Sequence, residues 1–179
     1  GPAPSRGGAR PGDLLWVSGS IGDAGAGLAI LRGEGAGSDY LVERYRNPRP
    51  RLEAGERLAT IVSAMMDVSD GLLIDTSRMA AASGCAVRIE LDSIPLSDAL
   101  LTLRGDSAET RTTAAIAGDD YELLFAALPA ASTGILALAD EIGLPLSRIG
   151  AFDEGTGLSL SNHGEPAPLP PKLGFEHQR

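Results

Sequence analysis

The feature that most limits the fold is a strand, a polar turn and a helix run together in the middle of the chain. Met65-Met66-Asp67-Val68 is short and apolar enough for a buried strand, and it meets Ser69-Asp70-Gly71 with no spacer. Asp70 is placed to cap the helix that follows. Leu72, Leu73, Thr76, Met79 and Ala80 then recur at the period of a helix with one face in a core. Gly84 is suited to end it, because glycine accepts the positive φ of a C-terminal cap. Beyond it, Val87, Ile89 and Leu91 alternate with Arg88 and Glu90, the period of a half-buried strand. Strand, helix and strand in such quick succession bury their apolar faces as stacked layers.

Similar punctuation runs through the rest of the chain. Residues 14–18 read as a strand, and Asp23 is placed to cap a helix ending near Leu31. A helix over 39–46 is stopped by Asn47-Pro48-Arg49-Pro50, since proline lacks an N–H and restricts its predecessor. Leu52, Leu58 and Ile61 predict a helix over 52–63, and another follows Pro95 over 97–103. Residues 112–117 lead into Gly118-Asp119-Asp120, after which 121–127 read as a strand. A helix over 130–142 is closed by Gly143, strands follow over 147–152 and 157–160, and the Pro-rich end reads as loop. The expected fold is therefore an α/β or α+β layered domain, with a mixed β-sheet flanked by helices. Residues 1–12, rich in Gly, Pro and Arg, read as a linker arm, and 13–179 as the domain.

With 43% apolar residues in 179, the chain supports one ordinary core. The formal charge of −9 argues against nucleic-acid or membrane-surface binding, which both call for a basic face. It leaves a phosphorylated ligand open, because acidic sites hold Mg²⁺ and the metal attracts phosphates. No apolar run is long enough to span a bilayer, and residues 1–5 lack the apolar stretch of a signal peptide. One cysteine, Cys85, forbids an internal disulfide and fits a reducing compartment. Its setting, Cys-Ala-Val with no neighbouring His or Lys, is that of a small core residue rather than a nucleophile.

Three segments carry candidate chemistry. In Asp67-Val68-Ser69-Asp70-Gly71-Leu72 the two carboxylates flank a turn, where they can converge on a hard cation. Ser69 lies between them at a helix N-terminus, whose free N–H groups favour a phosphate oxygen. The same residues also suit plain helix capping, and spacing alone leaves both readings open. In Gly118-Asp119-Asp120-Tyr121-Glu122-Leu123-Leu124-Phe125, strand geometry would send Asp119 and Asp120 to opposite faces, one pairing locally and one reaching a ligand. The glycines of Gly19-Ser20-Ile21-Gly22-Asp23-Ala24-Gly25-Ala26-Gly27 lack a following Lys and the dinucleotide spacing, so they predict a tight turn and close helix packing. His163 and His177 stand apart in polar sequence, and no Cys or His cluster has zinc spacing.

Taken together, the first two motifs resemble the thiamine-monophosphate kinases, within the superfamily that includes aminoimidazole ribonucleotide synthetase. Arg10-Pro11-Gly12-Asp13, Gly19-Ser20-Ile21-Gly22-Asp23, Pro48-Arg49-Pro50-Arg51-Leu52 and Gly174-Phe175-Glu176-His177 extend the likeness in collinear order. The resemblance implies ATP-dependent phosphorylation of thiamine monophosphate to the diphosphate in the cytoplasm, by direct in-line transfer. It implies Mg²⁺ on Asp67 and Asp70, ATP contacts from Ser69 and Arg6, and substrate contacts from Asp119 and Phe175. Two departures stand out. Ala117 replaces a frequent glycine, and the family's N-terminal half, which carries further Mg²⁺ carboxylates and mediates dimerisation, is absent from this chain. A chain lacking that half is expected to be inactive alone. The competing expectations are a related synthetase acting on another substrate and a non-catalytic interaction domain.

Overall fold

The computed structural model describes residues 4–176. Seven strands form one sheet in the order β2-β4-β1-β5-β3-β6-β7. They are β1 (Leu14–Ser18), β2 (Ala64–Asp67), β3 (Ala86–Glu90), β4 (Leu123–Ala127), β5 (Leu146–Asp153), β6 (Gly157–Asn162) and β7 (Glu165–Ala167). Neighbours are antiparallel except β3 and β6, so the sheet is mixed, as expected. The helices are α1 (Asp23–Leu31), α2 (Asp39–Arg46), α3 (Leu52–Leu58), α4 (Leu72–Ser83), α5 (Asp98–Arg104), α6 (Ala108–Ile116) and α7 (Ser132–Ile142). Among the described residues no helix is long and apolar enough to cross a membrane.

The central strands are continuously apolar because both faces of the sheet are covered. Leu15, Val17, Leu124 and Ala126 point into the larger core with Leu72, Leu73 and Met79 of α4. Trp16, Phe125 and Ala127 point to the other face, where Leu58 of α3 and Ile135 and Leu138 of α7 cover them. The Trp16 and Phe125 rings stack there, 6.3 Å between centroids. Cys85 is buried in the larger core, in agreement with its apolar setting.

The small residues of the first glycine-rich segment do bring helices together. A Cβ on Gly27 would overlap the Leu41 carbonyl oxygen of α2, and one on Gly25 would lie 2.5 Å from the Ala117 Cβ. Gly84 and Gly143 end α4 and α7 at φ 69° and 63°, as their positions predict.

Several expectations are corrected. Asp23 and Asp70 are not caps: the residues at those positions are Gly22 and Gly71, both at positive φ and without a side-chain capping bond. The third helix stops at Leu58 rather than 63, since Ile61 is exposed and the chain must turn into β2. The 121–127 strand begins only at Leu123, because Tyr121 has φ 50° and Asp119 φ 67°, incompatible with a strand. Residues 108–116 form a helix capped by Ser107, and the Pro-rich end contributes β7.

Candidate active site

The two acidic motifs meet through their backbones. β2 and β4 pair antiparallel from Ala64↔Ala126 to Asp67↔Leu123, and the pairing continues past the strand ends. The Val68 N–H donates to the Glu122 carbonyl (2.8 Å), Tyr121 to Val68 (2.8 Å), and Asp119 to Ser69 (2.8 Å). A Cβ on Gly118 would come within 2.9 Å of the Ser69 carbonyl oxygen, so glycine permits this approach. The C-terminal segment closes on the same turn. The Phe175 N–H donates to the Asp70 carbonyl (2.8 Å), and the Ile74 N–H to that of Leu173 (3.1 Å). Asp67, Ser69, Asp70, Asp119 and Phe175 therefore lie around one junction, although they come from three separated segments.

The side chains there are not alike. Asp67 is exposed and lines a cleft of about 590 Å³ between α3 and the β2–β4 ends. Asp70 is paired: the Arg78 guanidinium of α4 donates to its Oδ2 at 2.6 Å and to Asp75 Oδ1 at 2.8 Å. Asp75 Oδ2 accepts the N–H groups of Ser69 and Asp70, each at 3.0 Å. Those are the N–H groups expected to be open to a phosphate; an internal carboxylate already occupies them. The Ser69 hydroxyl and the Asp119 carboxylate carry no hydrogen bond among the described residues, and both side chains are half-buried. The Phe175 side chain is 60% exposed.

Arg6 is not drawn into this cluster. Its carbonyl accepts from Ser83 Oγ, at the far end of α4 from Ser69, and its exposed guanidinium bonds to none of Asp67, Ser69 or Asp70. The arm on which it lies runs along β2, with the Met65 N–H donating to the Ser5 carbonyl at 3.1 Å. His177 lies outside the described residues. His163 stands beside Asp92, far along the chain from the junction.

Asp119 and Asp120 do diverge, though not as strand neighbours. Asp120 is buried at 1% exposure, and both of its carboxyl oxygens accept the Gly22 N–H. Burial, foremost, and the charge of Asp23 push its pKa up to about 8, against the pull of the Gly22 N–H. Beside it lies an ion-pair group that sequence reasoning did not identify. The fully buried Glu122 accepts from Arg44 Nη2 (2.9 Å), from Arg51 Nε and Nη2 (2.9 and 2.7 Å) and from Ser18 Oγ. The one available signal was a glutamate set directly ahead of the apolar run Leu123–Ala127.

Hard carboxylate oxygens at Asp67 and Asp70 suit Mg²⁺ in kind. They fall short in number, because no group of three metal-capable side chains gathers among the described residues. This chain's residues thus fit part of a magnesium shell.

The chain is 41% identical over 176 residues to the thiamine-monophosphate kinase of Caulobacter vibrioides, covering 96% of this chain and 50% of that protein. The crystal structure of thiamine-monophosphate kinase from Stenotrophomonas maltophilia superposes with a TM-score of 0.81 at 39% identity, over 91% of this chain and 54% of that one. AaThiL complexed with AMPPCP and TMP superposes with a TM-score of 0.72 at 29% identity, over 96% and 53%. The likeness to thiamine-monophosphate kinases read from the motifs is borne out, and the chain spans about half the length of the curated relatives it matches. Residues 10–161 match the family described as AIR synthase related protein, C-terminal domain, and the chain belongs to that family.

Proposed function

We propose that this chain is the C-terminal part of an ATP-dependent kinase that converts thiamine monophosphate to thiamine diphosphate in the cytoplasm. In this reading residues 1–12 lead in from an N-terminal half, 13–179 form the C-terminal kinase domain, and the whole protein is a homodimer. The observation that carries the reading is the junction itself: backbone hydrogen bonds unite the Asp67–Asp70 and Gly118–Tyr121 segments beside one cleft. Relatives named thiamine-monophosphate kinase match over almost the whole chain, which supports it.

Phosphoryl transfer depends on positioning and charge neutralisation rather than on a covalent nucleophile. Asp67 and Asp70 would hold Mg²⁺ jointly with carboxylates of the N-terminal half. The ion, when bound, neutralises the phosphate oxygens as charge redistributes. The Ser69 hydroxyl donates to a nucleotide phosphate, and Arg6 reaches the nucleotide from outside the cluster. Asp119 accepts from the substrate's polar edge, and Phe175 packs on its ring system. No general base is needed, because the attacking phosphate is already ionised at neutral pH.

The test is turnover by the protein joined to its N-terminal half. Asp67→Asn is expected to lower kcat about 100-fold or more at saturating Mg²⁺, by removing a charged ligand. Near-normal turnover would remove Asp67 from the metal shell, and product from another acceptor but none from thiamine monophosphate would favour a related synthetase.

A further inference from the structure

The Glu122 group has a consequence for the cleft. Among the described residues Arg51 contributes the one cation that lines the cleft, where Asp67 and Tyr121 stand beside the apolar Leu52, Met65 and Leu123. Its guanidinium is held along one edge: Nε and Nη2 form a bidentate pair with a carboxylate that is 0% exposed. The Arg51 side chain itself remains 22% exposed. Nη1 has no hydrogen bond among the described residues. Glu122 does not need Arg51 to be satisfied, since Arg44 Nη2 and Ser18 Oγ already donate to it. A Cβ on Gly19 would strike the Glu122 carboxylate, so the backbone is shaped around this carboxylate as well.

A guanidinium fixed on one side and open on the other is prepared for an oxyanion. Its planar fork matches phosphate geometry, and holding it in advance removes ordering entropy from the binding step. The neighbouring apolar side chains lower the local dielectric on one side of the guanidinium, which strengthens its attraction for an anion. We propose that Arg51 binds a phosphate group of the ligand in this cleft, and that Glu122 is the positioning residue that presents it. The phosphate belongs either to the phosphorylated acceptor or to the nucleotide. The inference deepens the kinase reading and rests on it for the choice of ligands.

The test begins with a footprint on the wild-type protein joined to its N-terminal half, which requires no variant and no turnover. Phenylglyoxal modification of Arg51 is followed by peptide mass. Thiamine monophosphate or Mg-AMPPCP is expected to slow it at least five-fold, and whichever protects identifies the phosphate; unphosphorylated thiamine should leave the rate unchanged. Equal rates with every ligand would overturn the assignment, and equal protection by thiamine would reduce Arg51 to a steric wall.

Kinetics gives the second arm. Arg51→Lys keeps the charge but loses the fork, and is expected to raise the KM of the protecting ligand about ten-fold, more than it lowers kcat. Glu122→Gln should shift the same KM in the same direction. A loss of kcat with both KM values unchanged, or a fall in stability alone, would make the pair purely structural. If the wild-type protein phosphorylates no thiamine monophosphate yet Arg51 is protected by a phosphate ligand, the kinase reading fails and the phosphate site stands.

Discussion

Asp120 is 1% exposed, with both carboxyl oxygens on the Gly22 N–H at 3.1 and 3.0 Å. Around it Arg44 and Arg51 face Glu122, and Arg44 Nε lies 4.0 Å from Asp23. Two cations and two carboxylates already balance, so a third negative charge would be uncompensated in a low dielectric. That is why burial holds the Asp120 proton up to about 8. The linkage sign follows. The folded-state value lies above the ordinary 3.8, so the folded protein binds the extra proton, and this stabilisation is complete below about 4 and lost as pH rises through about 8. The loss runs at up to about 1.4 kcal/mol per pH unit across that window. Asp120→Asn keeps an acceptor for Gly22 and removes the proton. Urea denaturation from pH 5 to 9 should show stability falling for the wild type and a flatter profile for the variant; parallel profiles would mean that Asp120 is ionised in the fold.

At the scale of elements, two glycines on helices test packing in opposite directions. Gly27 of α1 is buried against α2, and a Cβ there overlaps the Leu41 carbonyl oxygen. Gly27→Ala should cost about 2 kcal/mol or more, through strain between the helices. Gly134 of α7 is exposed, with nothing within 4 Å of an added Cβ. Gly134→Ala should gain about 0.5–1 kcal/mol by lowering unfolded-chain entropy and raising helix propensity. Thermal melts read both, and a stabilised Gly27→Ala would contradict the close approach of α1 and α2.

The same scale shows where the sequence was legible. α4 and β3 follow from apolar periods bounded by Gly84, and the mixed sheet follows from their order. α6 escaped because Ala108–Ile116 contains three threonines and only a weak apolar face; its sign was Ser107, whose Oγ accepts the Thr110 N–H. β7 escaped because it contains Pro166, tolerable only on the sheet edge it occupies. In the site, Asp67, Ser69, Asp70 and Asp119 were visible as motif residues. The Asp75 carboxylate on the Ser69 and Asp70 N–H groups was not, because nothing in the spacing separates it from a solvated helix acid. Arg44 and Arg51 lie 78 and 71 residues from Glu122, and charged residues that far apart carry no one-dimensional sign of pairing.

At the scale of the whole molecule, the sheet gathers its candidate site at one end. β2 is an edge strand, Asp67 ends it, and the cleft beside it opens outward between α3 and the β2–β4 ends. Of the two carboxylates proposed to hold Mg²⁺, Asp67 is exposed and Asp70 is already paired with Arg78 at 2.6 Å. A cation arriving at Asp70 must compete with that guanidinium, and two protein ligands alone hold Mg²⁺ weakly. This chain by itself should therefore bind Mg-AMPPCP with a Kd above about 1 mM, whose binding free energy of roughly −4 kcal/mol lies near the limit of calorimetry. Joined to the N-terminal half proposed to supply further carboxylates, the protein should bind at least 100-fold more tightly, and removing Mg²⁺ with EDTA should abolish the gain. Arg78→Ala separates competition from support: it should tighten Mg²⁺ binding to the chain alone if Arg78 competes for Asp70, and leave it unchanged if Asp70 is not a ligand. Micromolar binding of Mg-AMPPCP by the unmodified chain would show that one half suffices, and would overturn the view that the nucleotide site is completed from outside it.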